Sequence, residues 1–125
     1  MTEFFVGILP PDESACEVEQ WRRKFRAPRT PAHLTLLAPF GWDQGQEQLL
    51  DALGEVCAGH RKFAIDCRGL GSFGKGVIFI DVVPAPELLA LQAGLARCLE
   101  QLGVELEKRP YHPHITLATR LSPRE

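Results

Sequence analysis

Apolar and polar positions along the chain change period several times, and each change marks an element. Phe4-Phe5-Val6-Gly7-Ile8-Leu9 is a short β-rich apolar run closed by Pro10-Pro11, which predicts a buried strand. Asp12, Glu13 and Ser14 supply capping oxygens and negative charge suited to a helix start. Ala15, Val18, Trp21 or Arg22, and Phe25 recur at helical spacing, so residues 12–26 read as an amphipathic helix. The stretch from Arg26 to Pro31 breaks it, and a second strand follows over 32–38. Pro39 to Gly45 reads as a loop, and 46–59 as a weaker helix stopping near Gly59. Phe63, Ile65 and Cys67 alternate with polar or small neighbours, which is strand periodicity. A glycine-rich turn, Gly69 to Gly76, leads into the apolar run Val77 to Val83. Pro84-Ala85-Pro86-Glu87 opens the longest helix, with Leu88, Leu91, Leu95, Cys98 and Leu102 on its core face and Gly103 as its C′ residue. Val104 to Glu107 reads as a short strand and His112 to Ala118 as the last one.

This order contains a repeat. FFVGILPPDE (Phe4 to Glu13) aligns with IFIDVVPAPE (Ile78 to Glu87) at an offset of 74 residues. A helix follows each, and then His-x-Thr-Leu: His33-Leu34-Thr35-Leu36 in the first half and His114-Ile115-Thr116-Leu117 in the second, after a seven-residue insertion. Each unit reads as strand, helix, strand, and the right-handed crossover rule makes its two strands near neighbours in one sheet. Two such halves predict an α+β domain with a pseudo-twofold axis, the two His-x-Thr strands facing a common groove.

Residues i and i+2 of a strand project from one face. His33 and Thr35 therefore share a face, as do His114 and Thr116, over apolar residues pointing the other way. Histidine titrates near neutrality, so a pair can serve as base and acid together. Thr hydroxyls and an imidazolium donate hydrogen bonds of the kind a phosphoryl group accepts. That scheme requires no metal or cofactor. A lone His-x-Thr-Leu would more often be a strand with a satisfied polar face; two copies after equivalent helices favour function.

Composition narrows the classes. The 125 residues carry 14 Lys+Arg against 16 Asp+Glu, a formal net charge of −2, which argues against a duplex-coating protein. One domain is expected at this length, with halves of about 1–68 and 69–125. Apolar runs fall short of a membrane span, and the N-terminal residues lack a secretory leader, so the expectation is a cytoplasmic protein without membrane contact. Cys16, Cys57, Cys67 and Cys98 are widely spaced, which reads as structural thiols in a reducing compartment.

With FFVGILPPDE, HLTLLAPF, GLGSFGKGVIFIDV and RPYHPHITLA in this order over nearly the whole chain, the sequence resembles the 2H phosphoesterase superfamily. The likeness is to its 2′-5′ RNA ligase-like, RNA 2′,3′-cyclic phosphodiesterase branch. The resemblance implies a duplicated bilobal fold, two pseudo-twofold related sheet lobes around a central phosphate-binding cleft with helices outside. It also implies metal-independent cleavage of a cyclic phosphate or a 2′-5′ phosphodiester, with ligation as the reverse reaction. His33 and His114 would be the acid and base, and Thr35 and Thr116 would hold the phosphate. Family members often have Arg three residues after the second motif's Thr; here Thr119 stands there, with Arg120 one step beyond as a candidate substrate contact. Many members continue past this motif, whereas this chain stops at Glu125. That predicts an exposed sheet edge and a monomer or weak dimer pairing through it.

Other signals carry less. Gly69-Leu70-Gly71-Ser72-Phe73-Gly74 fits G-x-G-x-x-G, but a strand-forming run rather than a helix follows, so it reads as a hairpin turn. His112, with His33, His114 and Asp43, suggests a metal site that Pro113 and the absence of a paired carboxylate weaken; His112 reads as a cleft-edge residue and His60 as a surface one. Arg22, Arg23, Lys24, Arg26 and Arg29 read as a solvated helix end, or else as a footprint for an RNA backbone. Phe40, Trp42 and Tyr111 adjoin the motifs and either stack a base or belong to the core. The expected substrate is an RNA end or small cyclic nucleotide. The alternatives are a non-catalytic RNA- or nucleotide-binding member of the same fold and a small metallohydrolase.

Overall fold

A computed structural model describes residues 2–9, 32–73 and 77–118. The predicted helix at 12–26, the basic cluster at its end, Cys16 and Arg120 lie outside the described residues. The strands are β1 (Thr2–Ile8), β2 (Leu34–Trp42), β3 (Cys67–Phe73), β4 (Val77–Val82) and β5 (His114–Ala118), and the described helices are α1 (Gln46–Ala58) and α2 (Pro86–Gln101). The fold is α+β, with one sheet in the order β1-β2-β5-β4-β3. The pairings β2–β5, β4–β5 and β3–β4 are antiparallel. The chain divides into two compact units: Met1–Val6, Leu36–Ile65 and Pro84–Tyr111 form one, and Gly7–Thr35, Asp66–Val83 and His112–Glu125 the other.

In the first unit, α1 and α2 pack at Gly94, where an added Cβ would come 3.2 Å from Val56 Cγ1. Leu88, Leu95 and Leu99 are the buried residues of α2, and Leu49 that of α1. Leu91, Cys98 and Leu102, expected on the core face of α2, are half-buried. The predicted end of α2 is found: Gly103 has φ +88°, its N–H donates to Glu100 O, and Val104 N–H donates to Leu99 O. That pair of bonds is a Schellman motif, which explains why a residue without Cβ stands there. No helix among the described residues is long and apolar enough to cross a membrane.

Several expected boundaries shift. β1 is an edge strand rather than a buried one: Phe4, Val6 and Ile8 are half-buried, while Phe5 and Leu9 are 46% and 69% exposed. β2 runs on through Pro39 to Trp42, because the buried positions Leu34, Leu36, Phe40 and Trp42 keep period 2 across the proline. Residues 61–66 have no regular structure, nor do 104–107, and the third strand begins only at Cys67. The glycine stretch read as a turn is largely β3 itself. β4 and β5 are neighbours as expected, yet antiparallel, so the crossover rule for parallel strands is not what joins them. Cys57 and Cys67 are exposed rather than core, and Cys98 is half-buried; all three are free thiols. Partial burial, then the neighbouring Asp66, pushes the Cys67 thiol up from its ordinary value.

Two local features make β3 possible. Leu70 pairs with Ile80 and Cys67 with Val82, so Arg68 and Gly69 together oppose the single residue Asp81. This is a β-bulge, and Gly69, at φ +107°, takes the backbone angle it demands. Gly71 stands opposite Phe79, and a Cβ there would come 2.6 Å from Phe79 Cζ. The Phe79 ring, 3% exposed, lies directly over the glycine backbone.

Candidate active site

β2 and β5 pair antiparallel with Leu34 opposite Ile115. These are the middle residues of the two His-x-Thr motifs. Stepping one residue along the ladder either way sets His33 against Thr116 and Thr35 against His114. Burial follows the pleat: Ala32, Leu34 and Leu36 are buried while His33 and Thr35 are half-buried, and Pro113, Ile115 and Leu117 are buried while His114 and Thr116 are half-buried. The four polar side chains thus share one face of two adjacent strands, and His33, Thr35, His114 and Thr116 belong to one compact unit. A diagonal pair of this kind is separated by roughly 7–8 Å. At that backbone spacing two long side chains on one face can reach the same small group.

His114 is held through one ring nitrogen. Its Nδ1 lies 2.7 Å from the carbonyl oxygen of His112. A carbonyl can only accept, so Nδ1 donates and Nε2 remains as the nitrogen that can take or give a proton. The ring stands edge-on to Phe73 and Phe79, at centroid distances of 5.0 and 5.2 Å, and these two phenyl rings stack on each other at 4.3 Å. Phe79 and Thr116 are ladder partners, as are Asp81 and His114.

Residues 10–125 match the 2′-5′ RNA ligase superfamily.

The chain belongs to that superfamily.

Among curated proteins it is similar to the RNA 2′,3′-cyclic phosphodiesterase of Aeropyrum pernix, 35% identical over 79 residues, 58% of this chain and 45% of that one. The chain thus matches under half the length of that relative. Among solved structures it is similar in fold to a crystal structure of a phosphoesterase, with a TM-score of 0.59 and 23% identity over 94% of this chain and 71% of the other. These likenesses agree with the 2H phosphoesterase resemblance of the sequence.

Other residues singled out in this 2′-5′ RNA ligase superfamily member lie as follows. Phe40 and Trp42 are 4% and 6% exposed, so they serve as core and have little ring face left for a base. Trp42 Nε1 donates to Gly45 O at 3.1 Å. Tyr111 is half-buried, and burial pushes its phenol up to about 12. His112 is exposed, with Nε2 3.1 Å from Asp81 Oδ1. His60, expected at the surface, is half-buried, and its Nε2 lies 3.6 Å from where a Cβ on Gly94 would stand. No group of three His, Cys, Asp or Glu side chains among the described residues is placed to hold a metal ion. The G-x-G-x-x-G stretch belongs to the β3–β4 hairpin over residues 69–73.

Sequence reasoning passed over Arg68, Phe73, Phe79 and Asp81. Arg68 Nε pairs with Asp81 Oδ2 at 2.7 Å, and Asp81 also receives His112. The Arg68 hydrogen bond first, then that of His112, holds the Asp81 carboxyl below the usual carboxylate range. The available signal was Asp81 itself, a lone acid inside the apolar run Val77 to Val83. A charge in such a run needs a partner on the facing strand.

Proposed function

We propose that this superfamily member is a metal-independent phosphoesterase that hydrolyses RNA or nucleoside 2′,3′-cyclic phosphates. The Leu34–Ile115 pairing carries the reading, because it brings both His-x-Thr motifs to one sheet face. The name of the Aeropyrum pernix relative supports the substrate class. In this reading His33 and His114 are the acid and base, and Thr35 and Thr116 donate to the equatorial phosphoryl oxygens. One histidine takes a proton from water as the water oxygen bonds to phosphorus in line. The other gives its proton to the ribose oxygen as that P–O bond breaks, leaving a 2′- or 3′-monoester. With an RNA 5′-hydroxyl in place of water, the same in-line attack on phosphorus breaks the bond to O3′, which takes the proton, and forms a 2′-5′ linkage.

Residues 1–125 form a single 2H phosphoesterase-like domain on this proposal, with sequence halves of about 1–68 and 69–125 each supplying one His-x-Thr motif. The equivalence of Leu34 and Ile115 across the strand pair supports that duplication. Tyr111 and Arg120 are proposed as substrate contacts, and the chain is proposed to be a monomer or a weak dimer paired through a sheet edge.

The test is incubation with 2′,3′-cyclic nucleotides in EDTA, with products followed by phosphorus NMR. Turnover is expected in wild type and a loss of roughly 10²–10⁴-fold in His33→Ala and His114→Ala. Full activity in both variants sinks the site assignment. Binding without turnover in wild type favours the non-catalytic reading, and inactivation by EDTA the metallohydrolase.

A further inference from the structure

Three attachments to β4 fix the residues that lead into β5. His112 Nε2 meets Asp81 Oδ1 at 3.1 Å, Pro113 O accepts the Val82 N–H at 3.2 Å, and His114 stands opposite Asp81 in the ladder. Between these points the His112 carbonyl meets His114 Nδ1 at 2.7 Å. The residue before a proline is confined to extended backbone. Once the His112 ring is pinned, its carbonyl therefore has few directions left. Asp81 is itself held from the other side. The β3 bulge turns Arg68 onto Asp81 Oδ2 at 2.7 Å, so both carboxylate oxygens are engaged and the group is aimed by two donors. Asp81 is an acceptor in both bonds, which places the protons on Arg68 Nε and His112 Nε2.

We propose that Asp81 is a positioning residue for His114: by holding His112 it keeps the His112 carbonyl on Nδ1, which fixes the tautomer and the direction of the imidazole. The inference rests on the paired-histidine reading above. It adds that the Arg68–Asp81–His112 chain, acting through the His112 carbonyl, sets how well Nε2 of His114 is presented. The Phe73–Phe79 stack limits the tilt of both rings, since each phenyl ring lies edge-on to His112 and to His114 at 5.0–5.3 Å.

The experiment combines kinetics with nitrogen-15 NMR of the histidine rings on the intact chain. In wild type, neutral His114 should show a protonated Nδ1 and a pyridine-type Nε2; the opposite tautomer overturns the proposal without any variant. Asp81→Ala should lower kcat about 10- to 100-fold while KM moves less than about threefold, and should shift His114 toward a mixture of tautomers. Asp81→Asn keeps one acceptor for His112 and should fall between Asp81→Ala and wild type. If Asp81→Ala does not fold, the isosteric Asn variant and the wild-type tautomer still decide. A merely structural Asp81 would lower the unfolding midpoint yet leave kcat per folded molecule and the His114 spectrum unchanged, and that result overturns the inference. Turnover retained in His114→Ala would instead sink the paired-histidine reading, leaving the tautomer measurement valid.

Discussion

Leu34 and Ile115 face each other across β2 and β5, each the central residue of a His-x-Thr motif. Antiparallel register about that pair puts each histidine opposite the other motif's threonine. Both residues are buried, so the apolar side of the pair anchors the polar side. Leu34→Ala should therefore cost about 2–5 kcal/mol, and Ile115→Val only about 0.5–1.5 kcal/mol, in urea unfolding. An Ala variant as stable as wild type would show that this pair is not a packing anchor.

If the two histidines act as one acid–base unit, their losses should not add. The double variant His33→Ala/His114→Ala is expected within about tenfold of the slower single variant. Single-turnover rates on a 2′,3′-cyclic nucleotide measure this. A double variant slower by the product of both single losses would show that the groups act independently.

Gly71 is held to glycine by the ring above it. A methyl group there would sit 2.6 Å from Phe79 Cζ, and that ring is buried and stacked on Phe73, so it cannot swing away cheaply. Gly71→Ala should destabilise by about 1–3 kcal/mol and shift the ring resonances of Phe79 and His114. Unchanged unfolding and unchanged resonances would show that the β3–β4 hairpin relaxes without cost.

Asp81 gives the fold an acid-side dependence. Its carboxyl is lowered in the folded state, by Arg68 first and His112 second, so its contribution is present above the unfolded value of about 3.9. That contribution is lost as pH falls through the folded value. Wild type should exceed Asp81→Asn in urea midpoint near pH 5, and the margin should shrink as pH falls below about 3.9. Added salt should reduce the margin throughout, because the carboxylate is exposed to solvent screening. A margin that widened toward acid would contradict the pairing.

Tyr111 is the chain's single tyrosine, so tyrosinate absorbance reports one group. In the folded protein its midpoint should lie near 12, against about 10 after unfolding. Because the folded value is raised, the stabilisation it carries is intact below pH ~10 and lost as pH climbs from there toward 12. A folded-state midpoint near 10 would show the phenol to be solvated.

The strand pattern around both motifs could be read directly, because alternation of period 2 fixes which side chains share a face whatever the strand pairs with. Gly103 was equally legible, since a helix end needs a positive φ regardless of its surroundings. The β3 strand was not. Gly69 and Gly71 look like turn residues by local preference, but one serves a bulge and the other lies under a ring from the facing strand. The depth of Phe40 and Trp42, and the exposure of Cys57, likewise depend on neighbours far away in the chain.

By itself the sequence determined the two His-x-Thr motifs and the polar face each strand would present. Those follow from the pleat, a property of any strand. Only the tertiary structure decided that β2 and β5 lie side by side in antiparallel register, which turns two separate faces into one. It also decided that Arg68, Asp81 and His112 meet behind His114. Register and bulge placement come from packing between strands distant in the chain, and no local preference encodes them.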